Sequence, residues 1–247
     1  MSADGTMPSS PDAGGRGGWE DFWAGDHAIY VNPRHRQVHY ARLARDLTAL
    51  IRRRDRPLVL DWGCGDALNA PVVAEACSEL MLYDAVPAVQ QRLFTRFSGR
   101  KGIRVLDTPA WEVLHAASVD MIVLNSVAQY LGRDELGRVL DDFRRVLKPD
   151  GEVILADIIR PDAGLVADIA ALLGPAARNG YLIAACVGLV KTFFSEYRRL
   201  RKTAGFSCYD ETEFLGILSR HGFAGERLRH NVGFNRQRMT FRARPKT

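Results

Sequence analysis

The stretch Leu58-Val59-Leu60-Asp61-Trp62-Gly63-Cys64-Gly65-Asp66-Ala67 constrains this chain more than any other. An apolar run and an acid lead into a Gly-x-Gly bend, and helix-forming sequence resumes near Ala67 to Pro71. This predicts a buried parallel strand turning sharply into a helix, with the glycines permitting the turn and letting backbone approach a ligand closely. The dinucleotide fingerprint Gly-x-Gly-x-x-Gly requires glycine at 68, where Leu68 stands, and aims a helix N-terminus at a pyrophosphate. Asp61 and Asp66 beside the bend would repel that group. By ordinary Coulomb attraction they suit a ligand that carries an ammonium and a sulfonium.

The 247 residues, 47% hydrophobic and 26% charged, can bury one sizeable α/β core. The net charge of +5 comes from arginines spread over 34–56, 198–202 and 227–246, with no regularly interleaved aromatics. Such spacing describes solvated faces, so no nucleic-acid partner is expected. Cys64, Cys77, Cys186 and Cys208 show neither CxxC spacing nor a histidine at ligand spacing, which predicts free thiols, no metal site and a reducing compartment. The N-terminus lacks a signal-peptide core, so the expected location is cytoplasmic.

Residues 1–18 are rich in Gly, Pro and Ser and predict a disordered leader. Residues 19–56 predict an N-terminal helical flap: an aromatic segment from Trp19 to Tyr30, a break at Asn32-Pro33, then a helix from Pro33 to Arg54. In that helix Val38, Leu43, Leu47, Leu50 and Ile51 share a stripe, with Arg42, Arg45, Arg52 and Arg53 off it. The aromatics before it suit either plain packing or a fold over a pocket.

Residues 57–247 carry an alternating strand and helix rhythm. After the bend, a helix near Ala70 to Ala76 leads to a strand, Leu80 to Tyr83, closed by Asp84. Asp84 lies one βαβ step beyond Asp61, where an acid often grips ribose hydroxyls. A helix from Pro87 to Phe97 precedes a third strand, Gly102 to Leu106, again closed by an acid, Asp107, with Thr108 and Trp111 following. A fourth strand runs Val119 to Ser126, and a helix from Glu135 to Leu147 buries Leu136, Val139, Leu140, Phe143, Val146 and Leu147. Lys148-Pro149-Asp150-Gly151 reads as a turn by composition, and Glu152 to Asp157 as strand five. The expected fold is α/β, a doubly wound, mostly parallel seven-stranded sheet with an antiparallel last strand and a helical lid inserted after strand five. Asp61, Asp84, Asp107, Asn125 and Asp157 then all fall on the carboxyl edge, where ligands bind.

The lid is expected at 161–205, with helices at Ala163 to Leu173 and Tyr181 to Arg201. Tyr181 to Val190 is apolar on every face yet too short to span a bilayer. It suits a cover over the pocket or a contact between two copies, making a homodimer. Because it passes into Arg198-Arg199-Leu200-Arg201-Lys202, residues 181–202 also suit weak docking on a membrane surface. A last helix is expected from Asp210 to a glycine stop at His221-Gly222, then two antiparallel strands, Gly225 to Asn231 and Arg236 to Ala243. In the second, Gln237, Met239 and Phe241 are placed on one face, opposite Arg236, Arg238, Thr240 and Arg242.

From Pro57 to Arg244 the chain resembles the class I S-adenosylmethionine-dependent methyltransferases. The glycine-rich first motif of that family matches Val59 to Ala67, its ribose acid Asp84, and its adenine-side acid Asp107 with Thr108. Its fourth-strand segment matches Asp120 through Asn125-Ser126 and on to Gln129-Tyr130-Leu131, and Phe143 to Gly151 resembles its approach to strand five. One departure is Ala67, where a third glycine is usual. The resemblance implies S-adenosyl-L-methionine as cofactor and S-adenosyl-L-homocysteine as product, with Tyr30, Asp61, Gly63, Gly65, Asp84, Ala85, Asp107, Thr108, Asn125 and Ser126 as the expected cofactor residues.

It also implies in-line methyl transfer to a nucleophile, with proximity and orientation as the main contribution. The apolar lid suits a small, lipophilic or aromatic acceptor, with O-methylation expected ahead of N or C. A phenol or enol acceptor needs a base. His27, His35, His39, Tyr30, Tyr130 and Asp157 are available; His27 and His35 lead because the flap would carry them over the pocket, and Asp157 follows from its strand-edge position. Three rival readings stay open. An NAD-dependent oxidoreductase is disfavoured by Leu68 and the two acids. A nucleic-acid methyltransferase would use the arginines, although Asn125-Ser126-Val127-Ala128 lacks the proline-aromatic motif of amino-methylating enzymes. A non-catalytic cofactor-binding scaffold would keep the same residues.

Overall fold

The computed structural model describes residues 32–162, 165–186 and 207–246. The leader, the aromatic segment with His27 and Tyr30, and the apolar-to-basic run beyond residue 186 lie outside them.

Seven strands form one sheet in the order β3-β2-β1-β4-β5-β7-β6. Strands β1 (Leu58–Trp62), β2 (Glu79–Tyr83), β3 (Ile103–Leu106), β4 (Val119–Asn125) and β5 (Leu147–Ile158) are mutually parallel. The last strand, β7 (Met239–Pro245), runs antiparallel between β5 and β6 (Phe223–Arg227). Strand order reverses between β1 and β4, so a crevice opens at their carboxyl ends.

The strands are apolar on both faces because helices cover both. One face packs Val59, Leu80, Leu82, Met121, Val123 and Ile154 against α1 (Pro33–Ile51), α2 (Ala70–Ala74) and α3 (Pro87–Phe97). The other packs Leu60, Trp62, Met81, Tyr83 and Ile122 against α4 (Thr108–Glu112), α5 (Arg133–Val146) and α7 (Glu211–Arg220). Trp62 sits there amid Tyr83, Trp111 and Phe143, with ring centroids 5.5 to 6.4 Å from its own. Helix α6 (Leu165–Arg178) and the helical residues 182–186 form the insertion after β5. A small apolar cluster of Ala176, Tyr181 and Ala185 joins it to Val38 of α1.

Local chemistry sets the helix ends. Asn32 caps α1 by accepting the His35 N–H at 2.8 Å, with Pro33 at the first turn. Asp210 caps α7 through the Glu213 N–H at 2.7 Å. Gly222 stops that helix with φ +79°.

Three local expectations are corrected. Lys148-Pro149-Asp150-Gly151 is no separate turn: β5 begins at Leu147, and the four residues bulge between the pairs Val119–Leu147 and Met121–Glu152. The final two strands are displaced toward Phe223 and Met239, because the chain enters β6 directly from the Gly222 stop. Gln237 stays exposed outside the strand, while Thr240 is fully buried. The Thr240 hydroxyl donates to Asn231 Oδ1 at 2.7 Å and accepts the Val232 N–H at 3.1 Å, which satisfies it inside.

Candidate functional site

The glycine bend folds back over the end of β2. Gly63 and Cys64 both donate their N–H to the Tyr83 carbonyl, at 2.8 and 3.1 Å. Gly63 has φ +75° and Gly65 φ +56°, conformations that a side chain resists. At Gly63 space forbids one as well, since a Cβ would meet Val127 Cγ2 at 2.5 Å. Ala67 holds φ +43°, so the position where a third glycine is usual keeps glycine-like backbone at some cost in strain.

Three acids stand on the carboxyl edge around this bend. Asp84 is 9% exposed; its Oδ2 accepts the Gly65 N–H at 2.9 Å and its Oδ1 the Val86 N–H at 3.0 Å. Burial nevertheless raises its pKa, against the pull of those two bonds. Ala85 follows it at the surface. Asp61, on β1, is pushed up to about 7 by burial and then by the neighbouring Asp84 charge, with no hydrogen bond among the described residues to offset them. Asp107 caps α4 through the Ala110 N–H at 2.9 Å. Thr108 beside it takes a hydrogen bond from Gln90 Nε2 at 3.0 Å, and Gln90 also donates to the Asp84 carbonyl at 2.7 Å. Gln90 therefore ties the end of β2 to the end of β3, a link with no sequence signal beyond its place on α3.

Asp66 behaves differently from its sequence reading. Its carboxylate is not left for a ligand: Oδ2 meets Arg36 of α1, Oδ1 meets Arg92 Nε of α3 at 3.1 Å, and its carbonyl accepts from Arg96. With its charge paired, Asp66 is a clamp on the bend, and Asp61 and Asp84 alone supply negative charge beside it.

At the ends of β4 and β5 a second polar group forms. Ser126 (φ +59°) donates its hydroxyl to Asp157 Oδ2 at 2.8 Å, and Asp157 (φ +62°) is also left-handed. Asn231 accepts the Asp157 N–H at 3.1 Å, and Arg238 pairs with the Asp157 carboxylate at 3.4 Å. Two adjacent strand ends are thus held in strained conformations by the loop between β6 and β7. Asn125 Nδ2 donates to the Ser126 hydroxyl at 3.2 Å, and its Oδ1 is buried with no hydrogen-bond partner among the described residues.

Residues 60–155 match the family model described as a methyltransferase domain. Over that span the chain carries a methyltransferase domain, which implies S-adenosylmethionine as cofactor. No curated protein matches the chain by sequence. Among solved structures, it is similar to the Synechocystis PCC 6803 magnesium protoporphyrin IX methyltransferase with bound S-adenosylhomocysteine, at 16% identity and TM-score 0.55, covering 93% of each chain. It is also similar to the Burkholderia thailandensis 1,6-didemethyltoxoflavin-N1-methyltransferase with bound 1,6-didemethyltoxoflavin and S-adenosylhomocysteine, at 17% identity and TM-score 0.53, covering 83% of this chain and 79% of that one. At such identities the likeness establishes the fold.

The residues of this methyltransferase fit its cofactor, S-adenosylmethionine. The bare bend at Gly63 and Gly65 admits close backbone approach. Asp61 is a carboxyl whose pKa burial raises, a site a cation would suit, and the Asn125 Oδ1 is a buried acceptor with no donor among the described residues. Among the described residues no cluster of three or more His, Cys, Asp or Glu could hold a metal ion, and no helix is long and apolar enough to cross a membrane.

Of the residues predicted for catalysis, His35 lies on α1 with its ring stacked on Tyr181, centroids 5.2 Å apart. Burial lowers its pKa, and burial with the neighbouring His35 takes His39 down to about 4. Both imidazoles are therefore neutral at pH 7. The Tyr40 hydroxyl of the methyltransferase lies 3.7 Å from where a Gly65 Cβ would stand, which makes α1 the roof of the bend. Arg36, Tyr40, Gln90, Asn231 and Arg238 had no role in the sequence reading, because each gains one only through a partner remote in the chain.

Proposed function

We propose that this enzyme methylates a small lipophilic or aromatic acceptor on oxygen, at a site between the carboxyl edge of the sheet and the segment around Tyr181. The observation that carries this reading is the composition of that seam. The small cluster of Ala176, Tyr181 and Ala185, with Val38, Leu172, Leu173 and Ala184 around it, is apolar. Inside it the Tyr181 hydroxyl is buried with no partner among the described residues, and the Tyr181 ring stacks on that of His35. An apolar body carrying one hydroxyl matches both properties.

When bound, S-adenosylmethionine supplies a methyl group on a cationic sulfur. Asp84 would accept the ribose hydroxyls, Asp107 and Thr108 would border the adenine, and Asp61 with Asn125 would receive the ammonium. Ala85 and Ser126 line the same edge. His35, neutral at pH 7, would take the proton from the acceptor hydroxyl as its oxygen bonds the methyl carbon and the carbon–sulfur bond breaks, with S-adenosylhomocysteine leaving. His27 and Tyr30 lie outside the described residues, and a part for them in the same site rests on sequence alone. Asp157 serves by position: its oxygens face Ser126 and Arg238, which would have to be displaced before it took a proton. The apolar run that follows Tyr181 passes out of the described residues after Cys186, and by its composition it suits either docking on a membrane surface or a homodimer contact, each of which would bring lipophilic acceptors to the enzyme. We place the enzyme in the cytoplasm.

Nucleic acid is a poorer fit as acceptor. Arg36, Arg54, Arg92, Arg133, Arg227, Arg242 and Arg244 each pair with a carboxylate of this chain. The test is methyl-tritiated S-adenosylmethionine with wild type and His35→Gln over phenols, a lipid extract and RNA. Label entering the organic phase, and falling about a hundredfold with His35→Gln, is the expected result. Label found in RNA alone would overturn it.

A further inference from the structure

Helix α1 presents two adjacent pairs of side chains to two different parts of the enzyme. Arg36 and Tyr40, four residues apart, face the glycine bend: Arg36 pairs with Asp66, and the Tyr40 hydroxyl lies over Gly65. His35 and His39, also four apart, lie on the adjoining stripe, with the His39 ring edge-on to Tyr40 at 5.6 Å. The His35 ring stacks on Tyr181 at 5.2 Å and 22°, and the His39 ring stands edge-on to His35 at 6.5 Å. Residues i and i+4 share a stripe of a helix while neighbours point about 100° apart, so about one turn of α1 touches both the cofactor bend and the Tyr181 segment.

The two halves of α1 are held differently. Ala44, Leu47 and Ile51 lock its C-terminal half into the sheet core. Among the described residues, nothing before Leu43 enters either sheet core. Contacts such as Arg36–Asp66 and His35–Tyr181 therefore set where the N-terminal half lies. Asp66 in turn is the residue after Gly65, whose N–H is held by Asp84, and Arg92 and Arg96 of α3 grip it from the far side. A ligand that immobilises the bend immobilises Asp66, and Asp66 holds Arg36.

We propose that Arg36 and Asp66 are positioning residues that couple occupancy of the cofactor bend to the packing of the Tyr181 segment on α1. This rests on the methyl-donor reading of the bend. Filling the bend steadies the N-terminal half of α1 and, with it, the surface against which Tyr181 stacks. The acceptor side is thereby completed after the cofactor side, and cofactor binds first. Because coupling between two sites is reciprocal, occupation of the acceptor side tightens cofactor binding by the same factor.

Hydrogen exchange on the full chain, with and without saturating S-adenosylhomocysteine, tests this. The Tyr181 N–H donates to the Ala176 carbonyl at 3.1 Å and the Ala185 N–H to the Tyr181 carbonyl at 2.9 Å, so peptides over 171–186 report the segment directly. In wild type the ligand is expected to slow exchange in 58–70, in the first half of α1, and by about threefold or more in 181–186. Arg36→Ala keeps protection at 58–70 but loses it at 181–186, and Arg36→Lys restores part of it. The Arg36 side chain is 37% exposed, so Arg36→Ala leaves the core untouched. Ligand-dependent protection at 181–186 that survives Arg36→Ala, or its absence in wild type, overturns the coupling. No protection at 58–70 in wild type overturns the methyl-donor reading first, and the coupling with it.

Discussion

Gly65 donates its N–H to Asp84 Oδ2 at 2.9 Å, so the glycine bend and the acid at the end of β2 hold each other in place. Asp84 bonds the Val86 N–H with its other oxygen, which fixes the turn on both sides. Replacing Asp84 by alanine removes the acceptor proposed for the ribose and leaves the Gly65 and Val86 N–H groups without this partner. Calorimetry is expected to show S-adenosylmethionine bound more than about tenfold more weakly, a loss of about 1.4 kcal/mol or more. Thermal unfolding is expected to show about 1–3 kcal/mol of lost stability. An unchanged dissociation constant would place the ribose elsewhere.

Asp61 makes binding depend on pH. Burial pushes its carboxyl up to about 7 from the ordinary carboxylate range, and only its ionised form would attract the ammonium proposed to sit beside it. As pH falls through 7 the carboxyl takes a proton and affinity drops. S-adenosylhomocysteine is expected to bind about tenfold more weakly at pH 5.5 than at pH 7, a range in which the α-amino group of the ligand stays charged. Asp61→Asn should flatten that dependence.

The same residue sets an opposite trend in the stability of the ligand-free protein. A carboxyl with a raised folded pKa contributes stability that is present below its unfolded pKa and lost as pH rises through the folded one. Asp61→Asn should therefore raise the Tm of the free protein more at pH 8 than at pH 4.5. A uniform shift would show that Asp61 is solvated.

Gly63 is limited by both backbone and space. Gly63→Ala must keep φ +75° and place a methyl 2.5 Å from Val127 Cγ2. The expected cost is about 2–3 kcal/mol with a parallel loss of cofactor affinity. Adding Val127→Ala should recover the steric part and leave the backbone part.

Arg238 holds the loop between β6 and β7 to the end of β5. Arg238→Met leaves Asp157 with Ser126 and Asn231 but without its guanidinium, at an expected cost of about 1–3 kcal/mol. Urea titration measures this, and exchange in 228–238 should rise with it.

Much of the frame was legible because its signals are local. Apolar strands closed by Asp84, Asp107 and Asn125, each followed by helix-forming sequence, describe a parallel sheet without reference to any distant residue. Asn32 and Asp210 were readable as helix starts for the same reason. The turn expected at Lys148 to Gly151 was misplaced because composition marks flexible backbone but not whether neighbouring strands absorb it as a bulge. Gln237 lies outside the strand because the strand begins three residues later than expected, at Met239, and Thr240 is buried because Asn231 and Val232 cover the face opposite Met239 and Phe241.

From the order of its residues alone this chain was bound to a parallel α/β sheet with acids on its carboxyl edge and a bare bend after the first strand. Periodicity and backbone permissiveness act over a few residues, and those suffice for that much. Which acids remain open to a ligand was decided only in three dimensions. Asp66 is paired by Arg36 from thirty residues earlier and by Arg92 from α3, while Asp61, a few residues away, is left as a raised carboxyl. Charge pairing and ring stacking depend on distances between side chains that only the packed helices bring together, so no spacing in the sequence records them.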